Sequence, residues 1–375
     1  MDKPNKVAVG LSGGVDSSVA AALLVEAGYD VTGLTMRIWN GSEPTQEGCR
    51  HGCFGPGEEE DIAVCERLCK QLGIPYRVVD LADEYERTVV EYFRAEYLKG
   101  RTPNPCVLCN HVMKFGFLLD RARAGGLSFD AFATGHYARI QKREGRPCLR
   151  MARDASKDQS YFLYRLGPET LSEVLFPLGD TTKAEVRELA LRMGLEAAEK
   201  PESQDFVSGG DYSAIFAGRE SPPGEIVDQD GRVLGTHTGI YKYTIGQRRG
   251  LGVSVGPEPL YVRALDPERN RVVVGRNDGL FADGLEARNV MLSDPALDGK
   301  TFAARVRIRQ NHTPAQAEIR VCGTEARVMF AVAQRAVAPG QSAVFYDPEG
   351  FVLGGGIIES AVGDEGDSSV GKIST

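Results

Sequence analysis

The 375-residue sequence lacks any apolar run near the ~20 residues that a membrane-spanning helix needs. It also leaves no room for a signal peptide, because residues 1–6 lead directly into the first predicted strand. We therefore expect a cytosolic protein without membrane contact. Its eight cysteines should then be reduced, and should serve as core residues, ligands or catalysts rather than as disulfides.

The sequence also lacks an excess of positive charge. Its formal net charge of −8 argues weakly against bulk electrostatic binding of nucleic acid. The charge is uneven, however, because residues 301–345 hold six arginines against two glutamates, a local charge of +4. Such a stretch is either a solvated face of a β-domain or a surface for a partner that binds at one place.

The run SGGVDSS at residues 12–18 is the most informative motif. An apolar stretch, a glycine turn and a helix N-terminus together form an anion site, because backbone amides and the helix dipole both favour negative charge. No lysine follows the glycines, which excludes a Walker-type loop. The hydroxyls of Ser12, Ser17 and Ser18 are expected to replace it, with Asp16 as an oxygen ligand for Mg²⁺. The plain alternative is a strand–turn–helix with capping serines.

The length and the 42% hydrophobic content predict two or three domains. The first two hundred residues alternate apolar strands with amphipathic helices, which predicts an α/β fold with a doubly wound, mostly parallel sheet. After the break at residues 221–224, short strands predict a small β-rich central domain, and beyond about residue 280 they predict a C-terminal antiparallel β-barrel. The expected boundaries are 1–212, 213–280 and 281–360, followed by a polar, disordered tail at 361–375.

A second motif, RTPNPCVLCN at residues 101–110, contains two prolines and no helical or strand period. It predicts a stiff loop that runs into a helix starting near Asn110. Cys109 would then lie at the helix N-terminus, where the dipole lowers a thiol pKa and favours the nucleophilic thiolate. A CxxC pair at such a place is commonly redox-active or a ligand pair, and the plain alternative is a packed loop without chemistry.

Four further motifs follow in order: TGHYAR at 134–139, KDQSYFL at 157–163, KPESQDF at 200–206 and TIGQRRGLG at 244–252. With the first two, this series resembles the bacterial tRNA-specific 2-thiouridylases (the MnmA/TrmU family of N-type ATP pyrophosphatases) from about residue 5 to 360. SGGxDS alone would also fit GMP, argininosuccinate or NAD synthetases, but the later motifs fit none of these. The resemblance implies an ATP pyrophosphatase domain, a central domain and a β-barrel, with tRNA held between them.

The resemblance also implies a reaction. ATP adenylates O2 of the wobble uridine, a sulfur nucleophile attacks C2, and AMP leaves. The implied cofactors are ATP and Mg²⁺, and the implied partners are tRNA and a sulfur donor such as a cysteine desulfurase or a relay protein. Two rival functions are a synthetase acting on a small molecule, which should show a glutaminase domain or ammonia channel, and a non-catalytic tRNA-binding or sulfur-carrier module.

Site residues are carried over position by position. The positions that match the family's ATP-phosphate contacts are Gly10, Leu11, Ser12, Gly13, Gly14, Val15, Asp16 and Ser17, which we call the anion loop. The positions that match its nucleoside contacts are Met36 and Gly135. Cys109 matches the family's nucleophile. The positions that match tRNA contacts are Asn104, Pro105, Cys106, His136, Lys157, Asp158, Gln159, Arg309, Gln310 and Gln341. Arg248 and Arg249 either touch phosphate or fix the central domain.

The thiols depart from the family pattern. Many members carry a persulfide cysteine after the ESQ motif and an Asp where this chain has Cys106, and this sequence has neither. Cys53, at the carboxyl side of the sheet, is placed to reach Cys106 and Cys109. Two hypotheses stay open: a [4Fe–4S] cluster on these three thiols, or persulfide chemistry at Cys109 with Cys53 or Cys106 as its partner. A zinc site of Cys49, Cys53, Cys65 and Cys69 is disfavoured, because Cys65 and Cys69 share a helical face with apolar residues.

Overall fold

The computed structural model describes residues 5–41, 54–55, 57–199, 212 and 214–363. Within them, the helices are α1 Val15–Glu26, α2 Glu58–Leu72, α3 Ala82–Tyr85, α4 Glu91–Leu98, α5 Pro105–Leu108, α6 Leu118–Ala124, α7 Ser160–Leu163, α8 Pro168–Ser172 and α9 Lys183–Arg192. None of the helices in this described part of the chain is both long and apolar enough to cross a membrane.

The strands alternate with helices at first and then follow one another. They are β1 Lys6–Gly10, β2 Asp30–Arg37, β3 Tyr76–Asp80, β4 Ala131–Thr134, β5 Ala138–Arg143, β6 Arg146–Met151, β7 Val174–Leu175, β8 Gly224–Val227, β9 Val233–His237, β10 Tyr261–Asp266, β11 Arg271–Gly275, β12 Phe281–Leu292, β13 Thr301–Arg307, β14 Ala315–Cys322, β15 Glu325–Arg335, β16 Ser342–Tyr346 and β17 Val352–Val362.

Two compact units make up the described chain, and the first holds residues 5–90, 105–217 and 350–352. Its main sheet has five strands in the order β3-β2-β1-β4-β7, and every pairing is parallel. The strand order reverses at β1, which is the mark of a doubly wound sheet. The predicted fold of this region is confirmed.

Both faces of this sheet are covered, so consecutive residues of its central strands β1 and β4 are buried. In β1, Val7, Ala8 and Val9 are all buried, as expected for a parallel strand with helices on both sides. Cys65 and Cys69 of α2 are buried in the same core, which confirms their predicted role as packing residues. Burial raises the pKa of both thiols, that of Cys69 to about 12.

The second unit holds residues 91–104, 218–349 and 353–363. It contains a four-stranded sheet in the order β10-β11-β8-β9 and a closed six-stranded barrel in the order β12-β15-β14-β13-β16-β17. The predicted C-terminal barrel is confirmed. The domain boundaries at 212, 280 and 360 stay predictions.

Alternation along the barrel strands separates its core from its surface. In β14, Ala317, Ile319 and Val321 are buried, and the residues between them are exposed. This period of two places one face of each strand inside the barrel. The alternation is weaker in the first barrel strand, β12, where glycine and charged residues interrupt the apolar pattern.

Candidate active site

Two loops meet at the point where the strand order reverses. Strands β1 and β4 are neighbours, and Gly10 pairs in register with Thr134 at their carboxyl ends. The chain leaves β1 into residues 11–14 and leaves β4 into residues 135–137. Ligands of open α/β sheets bind in the crevice at such a switch point.

The glycines of the anion loop serve two different purposes. Gly13 has a φ of +72°, and a Cβ built there would lie 2.8 Å from an Asp61 carboxylate oxygen. Gly14 precedes α1 with extended backbone, and a Cβ there meets only the Ser12 hydroxyl, at 3.8 Å. Gly13 is thus needed for the turn itself, whereas open space borders Gly14 beside the first-turn amides of α1. That combination suits an oxyanion.

The three serines of the motif are not equivalent. Ser12 is exposed, and its backbone N–H donates to the Ser17 hydroxyl oxygen at 3.3 Å. Ser17 donates its hydroxyl to the Gly14 carbonyl at 3.1 Å. Ser18 is buried and donates to the same carbonyl at 2.9 Å. Both hydroxyls therefore help to hold the loop, and the phosphate-binding roles predicted for Ser12, Ser17 and Ser18 stay predictions.

Sequence reasoning missed a lysine at this loop. The ammonium of Lys183, the first residue of α9, lies 2.7 and 2.8 Å from the two carboxylate oxygens of Asp16. The Tyr137 hydroxyl donates to the same carboxylate at 2.8 Å. The signal that points to Lys183 is the capping box of Thr182 and Glu185, which places the lysine at a helix start.

The donor set around the loop fits Mg²⁺ as well. The Asp16 side chain is 32% exposed, and the exposed Ser12 hydroxyl and the Ser17 hydroxyl lie near the same turn. Carboxylate and hydroxyl oxygens are the hard ligands that this ion prefers, with water and phosphate completing its octahedron. The predicted role of Asp16 as a Mg²⁺ ligand stays a prediction.

Gly135 and Met36, the predicted nucleoside positions, occupy different surroundings. A Cβ at Gly135 would lie 2.6 Å from the carbonyl carbon of Asp16 and 2.6 Å from the backbone nitrogen of Ser17. Gly135 is therefore required for the close approach of the β4 end to α1. Met36 is half-buried near the carboxyl end of β2.

The CxxC pair lies within a helix, not before one. The helix starts with α5 at Pro105, continues through a wider π-helical stretch at Cys109–Phe117, and ends in α6. The predicted start near Asn110 is wrong, since proline is well suited to a first helical position. Cys106 takes the first turn, and Cys109 lies one turn further on. Both thiols are half-buried.

Asn110 follows Cys109 directly and was not predicted as a site residue. It is 3% exposed, and its amide nitrogen donates to the Phe162 carbonyl at 3.4 Å. Within the described residues, its side-chain oxygen has no hydrogen-bond partner. π-Helical stretches of this kind occur frequently at functional sites.

The tRNA-contacting positions predicted near β4 divide into two kinds. His136 is half-buried and packs against Phe115 and Phe176. A 2.7 Å hydrogen bond joins its ring nitrogen Nδ1 to the hydroxyl of Thr134. Burial lowers the pKa of His136 well below its usual value, and the charge of Lys114 lowers it further. His136 is thus neutral at physiological pH and presents a flat ring to its surroundings.

Asp158 and Gln159 have internal partners. Asp158 is 1% exposed and accepts hydrogen bonds from Ala152 and Ser160. The side-chain oxygen of Gln159 accepts from the backbone N–H of Tyr137 at 2.9 Å. Their geometry favours a structural role in holding the 152–160 turn against β5. Lys157, in the same turn, is half-buried.

Three predicted positions lie on the barrel unit. Arg309 and Gln310 follow β13 and are half-buried, and Arg309 donates to the Arg335 carbonyl at 3.0 Å. Gln341 donates its side-chain amide to the Thr102 carbonyl at 3.0 Å. Gln341 therefore fastens the segment before Asn104 to the barrel.

The same segment is anchored by a buried arginine. Arg101 bonds to Glu96 at 2.7 Å, to the Ile358 carbonyl at 2.9 Å and to Glu359 at 3.0 Å. Thr102 donates its backbone N–H to the Pro339 carbonyl at 2.7 Å. The residues that lead to Asn104 and Pro105 are thus fixed by several bonds, and Pro105 itself is buried.

The iron–sulfur and zinc hypotheses depend on Cys53 and Cys49, which lie outside the described residues, as does the ESQ motif. Within the described part, no group of three His, Cys, Asp or Glu side chains is arranged to hold a metal ion. Cys106 and Cys109 supply two thiols three residues apart on one helix, which is one ligand fewer than the cluster hypothesis needs.

The chain matches three family profiles in succession. Residues 5–208 match the tRNA methyl transferase HUP domain, residues 216–276 the tRNA methyl transferase PRC-barrel domain, and residues 282–358 the aminomethyltransferase β-barrel domain. With the glycine loop at the switch point, this defines the class: an enzyme with an ATP-using HUP domain of the PP-loop type, followed by two β-domains.

Curated relatives named tRNA-specific 2-thiouridylase MnmA match along nearly the whole chain, and three of them illustrate the similarity. The protein from Endomicrobium trichonymphae is 46% identical over 363 residues, 96% of this chain and 100% of its own length. That from Moorella thermoacetica is 48% identical over 361 residues, 94% of this chain and 99% of its own length. That from Magnetococcus marinus is 44% identical over 366 residues, 96% of this chain and 100% of its own length. The chain belongs to the tRNA-specific 2-thiouridylase family.

Proposed function

We propose that this protein is an ATP-dependent tRNA 2-thiouridylase. It adenylates O2 of the wobble uridine, and a sulfur nucleophile then replaces that oxygen at C2, giving 2-thiouridine, AMP and pyrophosphate. The observation that carries the proposal is the anion loop at the switch point of a parallel sheet, in a chain whose relatives of that name match it from end to end.

ATP is needed because the C2 carbonyl oxygen of uracil is a very poor leaving group. Once O2 is bonded to the α-phosphate, the sulfur forms its bond to C2 as the C2–O2 bond breaks. The oxygen departs on AMP. Where the attacking sulfur is the outer sulfur of a Cys109 persulfide, the Cys106 thiolate then attacks the Cys109 sulfur, the bond from that sulfur to the transferred sulfur breaks, and 2-thiouridine leaves. A Cys106–Cys109 disulfide remains, which an external dithiol reductant returns to two thiols. The anion loop binds and orients the phosphates through its amides, and a bound Mg²⁺ would neutralise the pyrophosphate that leaves.

Residues of the loop have separate roles in this proposal. The backbone from Gly10 to Ser17 holds the phosphates, with Gly14 leaving room for them. Asp16 and the hydroxyl of Ser12 would hold the metal ion. Met36 flanks the nucleoside, whereas Gly135 acts by allowing the end of β4 to approach α1.

Cys109 is the proposed nucleophile, with Cys106 as its partner. Residues three apart on a helix have Cβ atoms about 5–6 Å apart, so the two side chains are neighbours. Both lie on the helix that starts at Pro105, so the helix geometry sets the spacing of the pair. We therefore favour direct persulfide chemistry at Cys109, fed by a cysteine desulfurase or a relay protein.

The iron–sulfur alternative requires Cys53 as a third ligand. We derive no step through a cluster, because the described residues provide only two of the thiols. Iron and sulfide content of the protein purified without oxygen separates the two mechanisms. In the persulfide mechanism with Cys106 as partner, Cys53→Ser keeps activity with a persulfide donor, whereas in the cluster mechanism it loses iron and activity together.

For tRNA we propose Asn104, Cys106, His136, Lys157, Arg309 and Gln310 as contacts. His136 offers a neutral ring for stacking against a base. Arg309 and Lys157 offer charge for phosphates. Pro105, Asp158, Gln159 and Gln341 act by fixing the backbone that carries these contacts.

The test is a reconstituted reaction with ATP, Mg²⁺, a persulfide donor, a dithiol reductant and unmodified tRNA carrying U34. We expect 2-thiouridine, AMP and pyrophosphate in equal amounts, and none of them with the same tRNA carrying C34. Pyrophosphate release that does not depend on tRNA would instead support the small-molecule synthetase, and tRNA binding without ATP turnover would support the non-catalytic module.

Thiol variants test the residue assignments in the same reaction. Cys109→Ser should eliminate 2-thiouridine under either sulfur mechanism. Cys148→Ser is the matched control, because Cys148 is also a half-buried thiol but lies on β6, in the hairpin with β5. Full activity of Cys109→Ser would overturn the nucleophile assignment.

A further inference from the structure

An ammonium group reaches the anion loop from a distant part of the chain. Lys183 and Asp16 are 167 residues apart in sequence, yet the lysine nitrogen bonds to both carboxylate oxygens. The lysine side chain is 9% exposed and the aspartate side chain 32%. The lysine nitrogen also lies 5.8 Å from the centre of the Tyr137 ring.

The position of Lys183 is set by several independent contacts. Thr182 caps α9 through Glu185, so the helix starts at a defined residue. The backbone N–H of Lys183 donates to Asp154 at 3.0 Å. Helix α9 packs against α1 through Val186 and Ala190, which lie in the same buried core. The ammonium is therefore aimed at the first turn of α1 by rigid structure.

A partly buried ion pair of this kind contributes little net stability, since desolvation of the lysine and solvent screening at the aspartate offset the attraction. The pair therefore calls for an explanation other than folding. ATP brings several negative charges to a loop whose own ionised side chain, Asp16, is also negative. Amides and hydroxyls alone would leave that charge poorly balanced, whereas a lysine held beside the loop balances it.

We propose that Lys183 is the cation that binds the pyrophosphate portion of ATP, in the role that a Walker lysine fills from within its loop. The assignment rests on the proposed function of the anion loop. Asp16 would hold Mg²⁺ when ATP is bound, and the ammonium, which lies beside the same first turn of α1, would then bond to a β- or γ-phosphate oxygen. Lys183 is then a catalytic residue, because it neutralises the group that leaves.

The test compares the affinities of ATP, AMP and inorganic pyrophosphate, measured by calorimetry without tRNA. In Lys183→Met we expect ATP and pyrophosphate to bind roughly 10- to 100-fold more weakly, as for loss of one hydrogen bond to a charged group, with AMP unchanged within about twofold. Lys183→Arg should restore most of the ATP affinity because it keeps the charge. Arg192→Met, at the exposed far end of the same helix, is the matched control and should bind ATP normally.

Two results would overturn the proposal. One is an unchanged ratio of ATP to AMP affinity in Lys183→Met. The other appears in the Asp16→Asn background without Mg²⁺. If Lys183 only holds Asp16 in place, adding Lys183→Met there has no effect on ATP affinity. Direct phosphate binding predicts a further loss of roughly tenfold in the double variant.

Separate controls test whether the variant folds and whether the proposed function itself holds. Thermal unfolding shows whether Lys183→Met is folded. If it is not, the same affinities are compared in Lys183→Gln and in the double variant Asp16→Asn/Lys183→Met, which removes both charges. If the wild type binds ATP but makes no 2-thiouridine on tRNA, the proposed function fails while the Lys183 assignment stands. If tRNA is thiolated and Lys183→Met binds ATP normally, only the lysine assignment fails.

Discussion

Substitution of Gly135 by alanine should damage the fold and the ATP site together. The added methyl group would lie 2.6 Å from two backbone atoms of α1, one in Asp16 and one in Ser17. Ordinary contacts between carbon atoms are about 3.5–4.0 Å, so roughly 1 Å of movement is required. Neither side yields easily, because β4 is an inner strand of the sheet and α1 is packed in the core.

The expected cost follows from this crowding. Overpacking a tight core costs about 1–3 kcal/mol, and contacts with backbone on both sides place Gly135→Ala near the upper end. In a region of about 200 residues, a loss of about 3 kcal/mol lowers Tm by roughly 6–12 °C. The displaced first turn of α1 also moves the amides that bind phosphate, so ATP affinity should fall more than stability alone would explain.

The assay is thermal unfolding with and without ATP, beside Gly116→Ala as control. A Cβ at Gly116 has no neighbour closer than 3.6 Å, and this residue lies inside a helix. The control should therefore be neutral, or more stable by up to about 1 kcal/mol. A Gly135→Ala protein with wild-type Tm and ATP affinity would refute the close approach of β4 to α1.

Four further outcomes are expected. Asp16→Asn should abolish tRNA-dependent pyrophosphate release, measured enzymatically, while tRNA affinity remains. Gly340→Ala should destabilise the barrel unit by about 1–3 kcal/mol in chemical unfolding, because φ is +94° and the new Cβ would lie 2.9 Å from the backbone of Thr102. Arg309→Ala should weaken tRNA binding and reduce its salt slope by about one, with ATP binding unchanged. Burial raises the pKa of Cys69 to about 12, so stability should be full below about pH 8.5, where the unfolded thiol is also protonated, and should fall toward pH 12. Cys69→Ala should flatten that alkaline slope.

Sequence patterns predicted those strands and helices in which the apolar positions of the sequence are the buried positions of the structure. The apolar strand before the glycines, the turn and α1 appear as expected, and Cys65 lies in the core as its helical spacing indicated. The barrel was predictable because alternation in strands such as β14 follows the two faces directly. In these regions each residue's neighbours in sequence decide its environment.

The errors arose where a residue's role depends on a contact remote in sequence or on helix geometry. Two prolines made the CxxC stretch look like a loop, although Pro105 starts the helix. Ser17 and Ser18 are both buried and both donate to the Gly14 carbonyl, a contact that the motif alone does not indicate. The capping box marks Lys183 as the start of a helix but does not indicate phosphate binding, because only the packing of α9 against α1 brings the lysine to Asp16. No sequence period encodes such a contact.

The arginine-rich stretch shows why a count of charges does not define an RNA surface. Arg305 donates to the Asp347 and Pro348 carbonyls, and Arg335 donates to the side-chain oxygen of Asn277. These partners are neutral oxygens, so both guanidinium groups keep their full charge while their rotamers are fixed. A fixed cation loses less conformational entropy on binding a phosphate than a mobile one. For these two arginines the fixed positions support the proposal that this stretch contacts tRNA, whereas Arg307 is buried and its charge is not offered at the surface.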